Sequence, residues 1–254
     1  MRKAQENMER ARPYSQKLQE VIASLAAHTD HNLHPLLEER EPNRIGVICV
    51  TSDRGMAGAF NANICRQTSV VLKEFAGQDV ELITLGRKGN DFFRKRGVLI
   101  YQYYPSIFQE LDDIHAAAIG DAVCKLYIDG KFDRFYVVFN EFKNAMQQNI
   151  ISEQILPVAP APIESSWNPL DFIYEPSAAG VLEKLLPQYV KNEIWHVLLE
   201  SYASEQAARM TAMEKATDNA NELVEILTLQ FNKARQSAIT TELLDIVGGA
   251  VGLG

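Results

Sequence analysis

Hydrophobic and polar positions change their period twice along this chain. Near the N-terminus, apolar or small residues fall at Met1, Ala4, Met8, Ala11, Ser15, Leu18, Ile22 and Leu25, in steps of three and four. That spacing lays one seam along an amphipathic helix. Pro13 lies inside it and is expected to kink it or weaken one turn. His34-Pro35 marks its end, because the residue before a proline avoids the helical region.

From Arg44 to about Pro157 short β-rich runs alternate with helical stretches. The strands expected are IGVICVT, VELITLG, VLIYQYY, RFYVVFNEF and QNIISEQILPV. Helices are expected near Asn61–Phe75, Lys88–Lys95 and Glu110–Tyr127. Alternation of this kind predicts a partly parallel sheet with helices on its faces. Only a short NAM stretch separates the last two strands, so they should form an antiparallel hairpin at one edge. A proline-rich loop follows, with DFIYEP a candidate short strand at its end.

The third part has the longest period of order. Neither proline nor glycine occurs between Pro187 and Gly248. A helix of about 60 residues would be on the order of 90 Å long. Its seam runs through Met213, Ala216, Ala220, Leu223, Leu227, Phe231, Ala234 and Ala238. So long a helix predicts a coiled coil, and the N-terminal helix is its natural antiparallel partner. The two lengths do not match. Roughly half of the long helix is left without a partner in the chain, by the 1.5 Å rise per residue. That half carries Leu223, Val224, Ile226, Leu227, Leu229 and Phe231, then Ile239, Leu243, Leu244, Ile246 and Val247. Apolar surface of that density requires enclosure by another protein.

Composition narrows the function classes. A chain of 254 residues at 46 % hydrophobic can bury a full core in one or two domains. A net charge of −8 lowers the prospect of nucleic-acid binding. No apolar run reaches the roughly 18 residues of a membrane span, and MRKAQENMERARPYSQK is no secretory signal. Cys49, Cys65 and Cys124 are widely spaced and read as buried thiols in a reducing compartment.

TSDRGMAG at Thr51–Gly58 has the strand-turn-helix setting of a phosphate loop. It offers only Gly55 and Gly58, without the glycine spacing or the Lys-Ser/Thr that nucleotide motifs need. Its glycines read as turn-makers, with Asp53 capping the helix or bonding the turn backbone. His28, His31 and His34 read as solvated loop histidines, with no metal-ligand partner at a diagnostic spacing. His115 and His196 are lone. Arg87, Lys88, Arg94, Lys95 and Arg96 read as a solvated basic face or a protein-contact patch. No catalytic triad or paired catalytic carboxylates are found, so no catalytic residue, cofactor or metal is expected. In KARQSAIT, Arg235 and Gln236 offer a bidentate fork and an adjacent amide on the unpartnered half, and are expected to meet the enclosing partner.

Three stretches carry a resemblance. SEQAARMTAMEKATDNANELVEILTLQFNKARQSAITTELLDIVGGA at Ser204–Ala250 resembles the C-terminal helix of the gamma subunit family of F-type ATP synthases. TSDRGMAGAFNANI resembles that family's first strand-to-helix junction, and MRKAQENMERARPY part of its N-terminal helix. The likeness covers essentially the whole chain. It implies an α/β fold: a long antiparallel coiled coil of the N- and C-terminal helices plus a Rossmann-like domain with a five-stranded mixed sheet. The implied parts are an N-terminal helix at 1–40, an α/β foot at 41–176 and a long C-terminal helix at 177–254.

The resemblance implies a non-catalytic rotor shaft that couples proton-driven ring rotation to nucleotide chemistry on the beta subunits. Its implied partners are the alpha and beta subunits of the hexamer, the epsilon subunit and the membrane ring of c subunits, with no nucleic acid and no membrane insertion. Its implied place is the cytoplasmic face of a bacterial inner membrane, the cysteine insert of the chloroplast form being absent. Carried over by motif, Arg209, Arg235, Gln236, Thr240 and Glu242 are coupling contacts with the hexamer, and Ile246 and Val247 belong to the tip held in its bearing. Against the family pattern the opening methionine aligns inside the N-terminal helix, which accounts for the mismatch in length. The rival readings are a nucleotide-binding α/β enzyme with helical arms and an unrelated coiled-coil scaffold.

Overall fold

The computed structural model describes residues 17–18, 21–22, 34–109, 111–144, 147–159 and 177–252. Among the described residues five strands and four α-helices follow one another: β1 (Arg44–Val50), α1 (Phe60–Glu74), β2 (Asp79–Leu85), α2 (Arg87–Arg94), β3 (Ile100–Tyr104), α3 (Asp113–Ile128), β4 (Arg134–Phe142), β5 (Gln148–Leu156) and α4 (Ala178–Gly252). Each expected strand and helix of the middle region forms, with bounds shifted by a few residues. DFIYEP and most of the N-terminal seam lie outside the described residues. Of that seam Leu18 and Ile22 are described, and both are buried.

The sheet order is β3-β2-β1-β4-β5. β1 pairs in parallel with β2 and with β4, and β2 with β3. β5 pairs antiparallel with β4, which makes the expected edge hairpin. β1 is buried at every position after Arg44, as a central strand covered on both faces should be. Alternation then sends its residues to two cores. Ile45, Val47 and Cys49 pack with Phe60, Ile64, Cys65 and Val71 of α1 and Phe93 of α2. Ile48 and Val50 pack with α3 and with Leu182, Leu186, Val190, Ile194, Val197 and Leu198 of α4.

Two compact units divide the chain, Met1–Met210 and Thr211–Gly254. Helix α4 begins before Pro187 and carries that proline inside it, so the proline is not the helix start that residue spacing suggests. The three cysteines are free and buried. Cys49 and Cys65, distant in sequence, meet as a hydrogen-bonded thiol pair; that bond, followed by burial, pushes the Cys49 thiol up.

Gly46 in β1 faces Phe135 in β4, and a Cβ there would run into the phenyl ring. Gly46→Val should therefore destabilise the fold by about 2 kcal/mol through overpacking. Thermal unfolding should show a midpoint lower by roughly 4–8 °C; a midpoint within a degree of wild type would mean the ring yields freely.

Candidate functional site

The β1–α1 turn spends its polar groups on its neighbours. The Thr51 amide donates to the Leu85 carbonyl at 2.8 Å, and the Thr51 hydroxyl accepts from the Gly89 amide at 2.8 Å. Asn61 in the first turn of α1 ties back to Ser52, its Oδ1 accepting from the Ser52 amide at 2.9 Å. Asp53 is buried, and its Oδ1 accepts from the amides of Arg87 and Ser106, each at 3.0 Å. Arg87 is the first residue of α2, so the carboxylate sits at that helix N-terminus, where backbone donors and the helix dipole favour an anion. The sequence offers Asp53 as a cap of the helix that follows it or as a partner of the turn backbone. It caps α2 instead, the helix that follows the neighbouring strand β2. Ala59 at the N-cap of α1 makes no side-chain cap bond. Met56 takes φ +63° and stands 76 % exposed at the crest of the turn.

Strand order reverses between β1 and β4, and in doubly wound folds the crevice outside the strand ends at such a point is where a ligand binds. Here α4 fills it. The β1–β4 ladder ends at Cys49–Val138, while β4 runs on to Phe142. The stranded backbone groups of β4 are taken by α4: the Phe142 amide donates to Glu200 Oε2 at 2.8 Å, and the Ser204 hydroxyl donates to the Asn140 carbonyl at 3.2 Å. Ala203 between these ties and Ala207 just beyond them pack on Phe142, their small side chains letting the helix come close. One turn further, the Arg209 guanidinium donates to Glu205 at 2.6 Å and to the Gly55 carbonyl of the β1–α1 turn at 3.3 Å. Sequence reasoning passed over Glu200, Ser204 and Glu205. The signal was present: polar residues spaced by four and five, interleaved with alanines, on a helix otherwise buried by leucine and valine.

Of the basic cluster, Arg87, Arg94, Lys95 and Arg96 are exposed, and so is His115. His34 is buried, not solvated as its neighbours suggested; its Nδ1 accepts from the Leu36 amide at 3.1 Å, and burial lowers its pKa. His28 and His31 lie outside the described residues. Arg87 pairs loosely with Asp91 at 3.9 Å, and the Arg96 guanidinium lies 3.5 Å from the centre of the Phe92 ring. Among the described residues no group of three or more His, Cys, Asp or Glu side chains is placed to hold a metal. Nor is any described helix long and apolar enough to cross a membrane.

Past Met210 the character of α4 changes. Leu223, Val224, Ile226, Leu227, Leu229, Phe231, Ile239, Leu243, Leu244, Ile246 and Val247 are all exposed. At about 100° per residue, Leu229, Leu243 and Val247 lie across the helix from Leu223 and Leu227. A helix apolar around its circumference belongs in an interior. Arg235, Gln236, Thr240 and Glu242 are exposed among them. The Thr240 hydroxyl donates to the Gln236 carbonyl at 2.8 Å. Among the described residues nothing bonds the Arg235 guanidinium or the Glu242 carboxylate. Arg209 stands apart from this group, four-fifths buried against Glu205.

Comparison with known proteins bears on what covers such a helix. The family model described as ATP synthase matches residues 1–253. The ATP synthase gamma chain of Chlorobaculum parvum is 44 % identical over 256 residues, covering 98 % of this chain and 88 % of that one. The gamma chain of Chlorobium phaeobacteroides strain BS1 is 43 % identical over 261 residues, covering 100 % and 88 %. Two cryo-EM structures share the fold. A chain of the Tetrahymena thermophila mitochondrial ATP synthase central stalk and c-ring matches with TM-score 0.65 at 22 % identity, covering 85 % of this chain and 94 % of that one. One from the Euglena gracilis mitochondrial ATP synthase matches with TM-score 0.66 at 20 % identity, covering 99 % and 94 %.

Asp53→Ala should leave the Arg87 and Ser106 amides without their acceptor, costing about 2 kcal/mol. Urea unfolding should show a lower midpoint and hydrogen exchange should quicken at those two amides, while Asp53→Asn, which keeps an acceptor oxygen, should fall between; unchanged exchange at both would rule out the cap.

Proposed function

The chain belongs to the ATP synthase gamma family, and on that premise we propose that it is the central rotor shaft of an F-type ATP synthase, coupling ring rotation to nucleotide chemistry on neighbouring subunits. One observation carries the reading: past Met210, α4 exposes large apolar side chains around its circumference, with Arg235 and Gln236 among them. A shaft of this kind does no chemistry itself. It makes different contacts with each conformation of a surrounding catalytic subunit and so biases which conformation is populated. Its asymmetry is what allows rotation to present a new set of contacts to each subunit in turn.

On this reading the sleeve is the hexamer of alpha and beta subunits. Arg235 and Gln236 supply a guanidinium fork and an amide to a carboxylate-bearing loop, where a planar bidentate donor is geometrically demanding. Thr240 and Glu242 add polar contacts on the same stretch, and Ile246 and Val247 sit in an apolar bearing. Arg209 belongs to the same coupling path from the foot side, since it already binds the β1–α1 turn. The foot meets the epsilon subunit and the c-ring, and the whole stands on the cytoplasmic face of a bacterial inner membrane. The rival reading as a nucleotide-binding enzyme is disfavoured by α4 itself, whose Glu200, Ser204 and Ala207 occupy the crevice such an enzyme would need.

Reconstitution with alpha and beta subunits tests the proposal. Arg235→Ala with Gln236→Ala should still assemble, since the apolar contacts remain, but should lower coupled turnover by roughly tenfold or more, the loss expected from removing a hot-spot arginine. Full turnover in the double variant, or failure of the wild-type chain to join the hexamer, would overturn the reading.

A further inference from the structure

Where α4 lies on the β4–β5 hairpin, acidic side chains crowd around one histidine. Glu200 is fully buried; its Oε2 accepts from the Phe142 amide at 2.8 Å, and its Oε1 lies 3.3 Å from His196 Nε2. His196 faces Glu193 and Glu200 on its own helix and Glu153 across on β5. Glu141 on β4 faces Glu153 in turn and accepts from the Asn149 amide side chain at 3.3 Å. Among the described residues these are the titratable groups that surround the histidine from α4, β5 and β4. One buried and two half-buried carboxylates sharing a single imidazole cannot ionise fully without mutual repulsion in a poorly solvated place. It must hold a proton.

We propose that Glu153, Glu193, His196 and Glu200 form a proton-binding site that clasps α4 to the β4–β5 hairpin, tight when the extra proton is bound and loosened when it leaves. The link to the backbone is direct: Glu200 reaches the Phe142 amide with one oxygen and His196 with the other. The charge on His196 is what balances Glu200 in its buried position. Loss of that charge leaves a buried anion to be resolvated, and the Phe142 bond is the one that opens.

Both titrations run in the same direction. Burial raises the Glu193 carboxyl from its ordinary 4.5 to about 7. The folded state therefore holds a proton there that the unfolded state has shed, and stability falls as pH climbs from about 4.5 to about 7. Burial acts to lower the His196 pKa, but hydrogen bonding to Glu200 and the charges of Glu200, Glu193 and Glu153 outweigh it and hold it above the ordinary 6.5. Its contribution is complete below that ordinary value and is lost as pH rises through the raised one. The clasp is closed on the acid side of neutrality and weakened on the alkaline side. This assignment stands whether or not the chain is a rotor.

Hydrogen exchange on the full chain reads the clasp directly. Corrected for intrinsic base catalysis, protection of the Phe142 amide should drop about tenfold between pH 6 and pH 8.5, while the Val137 amide in mid-strand holds constant. Glu193→Gln, which removes one of the charges that hold His196 protonated, should lose that protection at a lower pH than the wild type. His196→Gln should show the reduced protection already at pH 6. A Phe142 amide whose protection does not vary with pH, or a Glu193→Gln protein that follows the wild type, would overturn the proposal. Should a variant fail to fold, the imidazole titration of His196 in the wild type decides alone: a midpoint above 6.5 supports the site, and one at or below it refutes the site.

Discussion

A strand that outruns its neighbour sets the conditions for the rest of this molecule. β1 stops pairing with β4 at Cys49 while β4 continues to Phe142, and the unpaired ladder edge of β4 lies in a buried place. Backbone donors and acceptors there must be bonded or the fold loses about 1–3 kcal/mol for each. Glu200 and Ser204 supply the bonds. They do so at one setting of α4 only, because a slide of a single turn would move both side chains about 5.4 Å. The register of the long helix against the sheet is thus fixed by two hydrogen bonds and the two alanines, Ala203 and Ala207, that pack beside them.

That setting is not without cost. Glu200 is a fully buried carboxylate, which a protein tolerates only with partners at hand. His196 and the Phe142 amide are those partners. The arrangement pulls further acids into the same neighbourhood, since Glu153 and Glu193 share the interface that the helix must make. A requirement of backbone bonding in the sheet therefore accompanies three glutamates acting on one histidine.

The sheet was legible because its signal is local. Runs such as RFYVVFNEF state their burial residue by residue, and the strand they predict coincides with β4. The edge hairpin followed from the brevity of its connection. The exposed apolar half of α4 was legible too, since Leu223 to Val247 recur without breakers. What escaped was long-range. No spacing rule ties Glu200 to an amide 58 residues away, or Asp53 to amides on two other elements. His34 looked like a loop residue because its surroundings are polar in sequence, yet the fold buries it as the acceptor of a short helical turn. Pro187 looked like a boundary, whereas packing of Leu182, Leu186 and Val190 carries the helix through it.

The way α4 fills the switch point also bears on how such a foot would behave in a cell. Many α/β domains built on this sheet order respond to the nucleotide they hold, stiffening or opening as its concentration changes. In this chain the crevice is occupied by residues of the same polypeptide, and the N-terminus of α2 is engaged by Asp53. A ligand in that crevice dissociates on dilution, whereas a segment of the same chain does not. The tie of α4 to β4 therefore holds without the supply of any third molecule.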